Sequence, residues 1–97
     1  MGSTRVLEEV WDVIGDRFSH PRQGSYVSGL IADPKGIDRI LEKVGEESTE
    51  FILAVKNGER RRIIAEAADL QFHLLISLRA AGVDLYDVFS ELESRRR

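Results

Sequence analysis

Residues 63–81 constrain this chain more than any other stretch. They read I-I-A-E-A-A-D-L-Q-F-H-L-L-I-S-L-R-A-A. Wound as a helix, the run has apolar residues on every side and no ordinary solvated face. A helix of that kind is buried. In 97 residues, burying one helix all round is hard within a single copy, because small domains have little interior. Dimerisation solves the problem; burial of both faces inside the monomer is the harder alternative. Two carboxylates and a histidine interrupt the apolar surface: Glu66, Asp69 and His73. At about 100° per residue they fall within an arc of about 60°, so they form a stripe. Buried carboxylates are costly unless they are paired or hold a metal, and something must compensate Glu66 and Asp69.

The segment before it adds acid rather than base. Residues 37–56 keep a helical period through Ile37, Ile40, Leu41, Val44, Phe51, Ile52 and Val55. Gly45 inside that period costs roughly 1 kcal/mol relative to Ala, and Asn57-Gly58 is a helix stop. Glu46, Glu47 and Glu50 lie on this helix within an arc of about 100°. Lys43 can reach Glu47 one turn away and neutralise part of the charge. A short link at Asn57-Gly58 makes the two helices antiparallel neighbours, so their polar stripes can face one another. Four or five carboxylates then converge with few cations. Such oxygen-rich donors suit Mg²⁺, with Mn²⁺ as the alternative.

The remaining segments are helical too. Residues 3–18 carry Val6, Leu7, Val10, Trp11 and Ile14 on one stripe, with Ser3 or Thr4 as N-cap. Ser19 to Gly24 reads as a loop, broken by Pro21 and Gly24. Residues 25–32 are a short apolar piece that a helix can accommodate, and residues 33–36 break it. A longer helix spans residues 59–81, ended by Gly82. Asp84 caps a last helix over residues 85–95, with Asp87 in its first turn. No strand alternation, repeat or linker is present. The expectation is one all-α domain over residues 1–97, a small helical bundle.

Composition narrows the function classes. The formal net charge is −3, so nucleic acid is not an expected partner. Cysteine is absent, which excludes disulfides, thiolate zinc sites and a Cys nucleophile. No apolar run reaches the roughly 20 residues of a membrane span, and the first residues lack a signal peptide's apolar region. No membrane association and a cytoplasmic location are therefore expected. Some of the groups noted above have ordinary readings. An E-E-x-x-E run alone is common on solvated helix faces; it is the E-x-x-D set inside an apolar helix that lifts the functional reading. His73 reads as a hydrogen-bonded core histidine rather than a ligand. The arginine runs 60–62 and 95–97 read as solvated helix-terminal charges, with one Arg able to reach an anionic ligand.

The pair of motifs, Glu46-Glu47-Ser48-Thr49-Glu50 and, after fifteen residues, Glu66-Ala67-Ala68-Asp69, resembles the signature of the MazG-like all-α nucleoside triphosphate pyrophosphatases. Within that superfamily the chain is similar to the phosphoribosyl-ATP pyrophosphatase family. The similarity runs through Gly24-Ser25-Tyr26-Val27, the stretch from Lys35 to Glu47, the stretch from Ala68 to Leu75, and Gly82-Val83-Asp84-Leu85. It covers residues 6–95. Phe72 stands where the family usually has Tyr, and Gln71 where an aliphatic residue is usual; neither is a carboxylate of the motif.

The resemblance implies a dimer with a four-helix core and a magnesium-dependent hydrolase of histidine biosynthesis. The substrate would be phosphoribosyl-ATP, cleaved to phosphoribosyl-AMP and pyrophosphate. Glu47, Glu50, Glu66 and Asp69 would hold Mg²⁺, with Glu46 as ligand or supporting group. Glu47 or Glu50 would handle the attacking water. Lys43 would contact phosphate, and Arg17, Ser25 and Tyr26 the phosphoribosyl end. Two rival readings are a housekeeping nucleoside triphosphate pyrophosphatase and a non-catalytic helical dimerisation module. The module requires Glu66 and Asp69 to be paired with Arg or Lys.

Overall fold

A computed structural model describes residues 2–96; Met1 and Arg97, the end of the last arginine run, lie outside the described residues. Five helices follow one another: α1 (Arg5–Ser19), α2 (Tyr26–Ile31), α3 (Ile37–Asn57), α4 (Arg60–Ala81) and α5 (Leu85–Ser94). No strand occurs among the described residues, so the expected all-α class holds. Among the described residues no helix is long and apolar enough to cross a membrane.

The helix ends lie where local chemistry puts them. Gly58 and Gly82 take left-handed conformations at φ 73° and 72° and return their N–H groups to the last turns of α3 and α4, which glycine does without steric cost. The Asp84 carboxylate accepts from the Tyr86 N–H at 3.0 Å, and the Ser25 hydroxyl accepts from the Ser28 N–H at 3.2 Å. At α1 the two expected caps differ. Thr4 has helical dihedrals and makes no side-chain cap bond, whereas the Ser3 hydroxyl accepts from the Arg5 N–H at 3.2 Å.

The core draws on every helix: Trp11 and Ile14, Val27 and Leu30, Ile40, Leu75 and Ile76, and Leu85. Ile14 and Ile76 are fully buried, and each such side chain is worth roughly 1.5–3 kcal/mol of transfer free energy. Arg79 closes one side of this core. Its guanidinium lies 3.8 Å from the Trp11 ring centroid, and its Nη2 donates to the Trp11 carbonyl at 2.9 Å. Gly15 makes the room, since a Cβ there would come within 2.5 Å of the guanidinium.

The α3–α4 hairpin is covered at one end only. Near its base, formed by the start of α3 and the end of α4, Ile40, Leu75 and Ile76 are buried against α1, α2 and α5. Toward the tip at Gly58, Ile52, Leu53, Val55 and Ile64 are about half exposed. Residues 63–81 are therefore not buried all round within one copy, the difficulty for which dimerisation was the expected solution. On α4 only His73, Leu75 and Ile76 are buried. On α3 only Ile40 and Ala54 are, so most of its expected apolar stripe lies outside the core. The physical reason is reach: α1, α2 and α5 are too short to cover both ends of the hairpin. Val6 is likewise about half exposed at the start of α1.

Candidate active site

Halfway along the hairpin, where the covered base gives way to the bare tip, three carboxylates meet. Glu47 from α3 and Glu66 and Asp69 from α4 each bring an oxygen within 4.8 Å of the others. Helix geometry alone gathers them: Glu66 and Asp69 are neighbours on one face at i, i+3, and antiparallel pairing about Gly58 sets Glu47 opposite them. The Glu47 and Glu66 side chains are 13% and 14% exposed, while Asp69 is exposed. One wall of the cluster is thus partly dry and the other open to a ligand.

Charge is incompletely balanced there. Lys43 reaches Glu47 at 3.6 Å but sits closer to Glu46, at 3.0 Å. Arg62 lies 3.6 Å from Glu66 and 3.5 Å from Glu50. Asp69 has no ion pair among the described residues, which departs from the full pairing a dimerisation module requires. Partial burial, together with the charges of Glu50, Asp69 and Glu47, holds the Glu66 carboxyl above its ordinary range despite Arg62. Burial acts first, and the neighbouring carboxylate charges add to it. Three oxygens, no sulfur and an open side make a donor set for a hard divalent cation.

The other acids of the motif stand around this cluster. Glu46 turns away to Lys43 and, at 4.0 Å, to Arg39; the Lys43 ammonium holds its carboxyl below the usual range. Glu50 is one turn from Glu47 toward the tip and 51% exposed. His73 is buried, with Nδ1 2.7 Å from the Asp69 carbonyl oxygen and Nε2 2.7 Å from the Tyr26 hydroxyl. Both ring nitrogens are occupied, as expected of a core histidine.

A cavity of about 580 Å³ opens beside the cluster, between α1 and the segment leading into α2. Val10, Val13, Phe72 and Tyr26 form its apolar walls, and Arg17 and Arg22 bring charge to it. Phe72 is three residues beyond Asp69, so the cavity begins within one helical turn of the carboxylates. Arg17 is held by Asp16 at 2.7 Å. The Ser25 hydroxyl is engaged as the α2 cap. Tyr26 is half exposed, and its hydroxyl lies in the fields of Lys43, Arg39 and Glu47.

Residues 7–96 match the family described as phosphoribosyl-ATP pyrophosphohydrolase. The chain belongs to that family. A phosphoribosyl-ATP pyrophosphatase of Methanosphaerula palustris is 63% identical over the whole chain and 98% of its own length. One of Methanoculleus marisnigri is 56% identical over the full length of both. A histidine biosynthesis bifunctional protein of Thermoanaerobacter pseudethanolicus is 43% identical across 92% of this chain, which there spans 40% of the longer protein. Within this phosphoribosyl-ATP pyrophosphohydrolase family member, two site neighbours stand outside the sequence-derived set. Arg62 is one: its run reads as solvated helix-end charges with one Arg able to reach an anionic ligand, and its i, i+4 spacing to Glu66 is the signal that singles it out. His73 is the other, because its bond to Tyr26 joins residues 47 apart and leaves no trace in local spacing.

Proposed function

We propose that this chain hydrolyses phosphoribosyl-ATP to phosphoribosyl-AMP and pyrophosphate, the second step of histidine biosynthesis, as a cytoplasmic enzyme with one catalytic domain over residues 1–97. The observation that carries the reading is the meeting of Glu47, Glu66 and Asp69 within 4.8 Å in a member of this family. These three residues would hold Mg²⁺, with Mn²⁺ as substitute. When bound, the cation neutralises phosphate charge and fixes the triphosphate for attack.

The chain's own groups supply the rest. Glu50 lies outside the cluster but within electrostatic reach of Glu66, which supports giving it the water rather than the metal. Its carboxylate takes a proton as the water oxygen bonds to the α-phosphorus. The bond from that phosphorus to the α–β bridging oxygen breaks, and pyrophosphate leaves. Lys43 exchanges Glu46 for phosphate oxygens, and Glu46 supports that lysine. Arg17, Ser25 and Tyr26 line the cavity and take the phosphoribosyl end. The half-exposed apolar tip, Ile52, Leu53, Val55 and Ile64, is covered by a second copy, giving a homodimer with a four-helix core.

The test is pyrophosphate release with Mg²⁺ from phosphoribosyl-ATP beside ordinary nucleoside triphosphates, with Glu50→Gln and Asp69→Asn as controls. Preference for phosphoribosyl-ATP, lost in both variants, is the expected result. Turnover of ordinary triphosphates alone overturns the substrate, and release from none overturns the chemistry.

A further inference from the structure

The proposed chemistry leaves a buried imidazole unused. His73 is 5% exposed, and its bonding pattern fixes its proton. Nδ1 lies 2.7 Å from a main-chain carbonyl, that of Asp69. A carbonyl only accepts, so Nδ1 carries the hydrogen. In the neutral ring Nε2 is then an acceptor only, and the Tyr26 hydroxyl, 2.7 Å away, must donate to it.

That direction matters for Tyr26. With its proton committed to His73, the phenolic oxygen has only acceptor capacity left. Its ring stands on the cavity wall, 6.2 Å from Phe72 and nearly parallel to it. Burial holds its hydroxyl above the ordinary phenol range, and the charges of Lys43, Arg39 and Glu47 also reach it. Packing alone does not require an imidazole at a position followed closely by the buried Leu75 and Ile76. What the bond does is hold the six-residue α2 in register with the turn of α4 that bears Asp69.

We propose that His73 is a positioning residue for substrate recognition: by accepting the Tyr26 proton it makes the Tyr26 oxygen an obligate acceptor at the cavity mouth, where it selects a donor such as a ribose hydroxyl. The proposal rests on the substrate reading above, which supplies a second ribose. His73 touches no substrate and acts through Tyr26 alone.

Two measurements test it. Side-chain ¹⁵N NMR of the wild-type protein reads the tautomer directly: an Nδ1–H ring with an accepting Nε2 is expected, and an Nε2–H ring or a doubly protonated ring at neutral pH overturns the proposal. Steady-state kinetics on phosphoribosyl-ATP with Mg²⁺ then compare Tyr26→Phe, His73→Phe, the double variant and His73→Gln. Losing one ground-state hydrogen bond raises KM about 10-fold with kcat little changed, so each Phe variant is expected there. The double variant is expected to match the singles, since the two residues act as one unit. His73→Gln restores an acceptor and returns KM toward wild type. Additive losses, near 100-fold in the double variant, overturn the proposal. So does a His73→Phe protein with lowered melting temperature and unchanged KM. If His73→Phe fails to fold, an unchanged KM in Tyr26→Phe still refutes it. A wild type that cleaves only ordinary nucleoside triphosphates refutes the substrate reading instead, and the same KM series on ATP then decides the role of His73.

Discussion

The two ends of the α3–α4 hairpin are made of similar residues and have different fates. At the base, Ile40, Leu75 and Ile76 are 2%, 5% and 0% exposed; toward the tip, Ile52, Leu53 and Ile64 are 59%, 53% and 56% exposed. Apolar content does not distinguish them. What differs is the cover that α1, α2 and α5 provide at one end only. Glu47, Glu66 and Asp69 stand at the boundary, dry enough on one side to sharpen their charge and open enough on the other to take a ligand. The pairing of α3 with α4 positions the carboxylates, while the tip leaves apolar surface bare.

The largest effect should come from the boundary itself. Asp69→Asn keeps size and removes the most open charge of the cluster, and Glu66→Gln removes one from its dry side. Each should lower kcat/KM for pyrophosphate release by about 10³-fold or more, as loss of a group that stabilises developing charge does. Circular dichroism should show unchanged helix content. A loss of under 10-fold in both would mean that the boundary is not the reacting end.

Next in size is a matched pair that tests the comparison directly. Ile76→Ala at the base should cost about 2–5 kcal/mol, since it empties a closed core position. Ile64→Ala at the tip should cost under about 1 kcal/mol if that end stays bare. If a second copy covers the tip, the Ile64 cost rises toward the Ile76 value and both depend on protein concentration. Urea unfolding at two concentrations, with the mass in solution, separates these outcomes.

Much of this geometry was legible beforehand, for identifiable reasons. Gly58, Gly82 and Asp84 mark helix ends through chemistry that acts within a few residues, so they were readable in place. The i, i+3 spacings of Glu66 with Asp69 and of Glu47 with Glu50 were readable for the same reason. A helical arc alone does not sort the acids of α3: Glu46, Glu47 and Glu50 fall close together on it, and their neighbours separate them. Lys43 and Arg39 draw Glu46 away, and Arg62 stands at Glu50. Contacts between distant residues left no signal at all. Arg79 on Trp11 spans 68 positions and Tyr26 on His73 spans 47. Which end of the hairpin is bare had no local signal, because periodicity reports which face is apolar, not which neighbour is long enough to cover it.

A smaller effect ties the boundary to pH. The Glu66 carboxyl is raised, by partial burial first and then by the neighbouring carboxylates. A raised folded-state value means that its favourable contribution is present at acidic pH and lost as pH climbs through that value. The metal-free protein should therefore lose some stability between the ordinary carboxylate range and neutrality. Millimolar Mg²⁺ removes the repulsion only where the carboxylates are ionised. Its gain in melting temperature should be largest at mildly alkaline pH and fade toward the ordinary carboxylate range. An equal gain at both would place the bound cation elsewhere.

The smallest expected effect is at Ser25, where a structural role and a substrate role compete for one hydroxyl. That oxygen accepts from the Ser28 N–H at 3.2 Å, and the Ser28 hydroxyl in turn accepts from the Arg22 N–H at 2.9 Å. The cap therefore orders both α2 and the segment that walls the cavity. Ser25→Ala should cost about 1 kcal/mol, as loss of an N-cap does. Ser25→Asp keeps the cap but brings a negative charge to the cavity. If capping is its whole role, Ser25→Asp retains stability and loses little activity. If the hydroxyl also meets the phosphoribosyl end, Ser25→Asp stays folded while its KM rises steeply, because a carboxylate repels the phosphate there. Melting temperature and KM together place Ser25 with the scaffold of the base or with the reacting boundary.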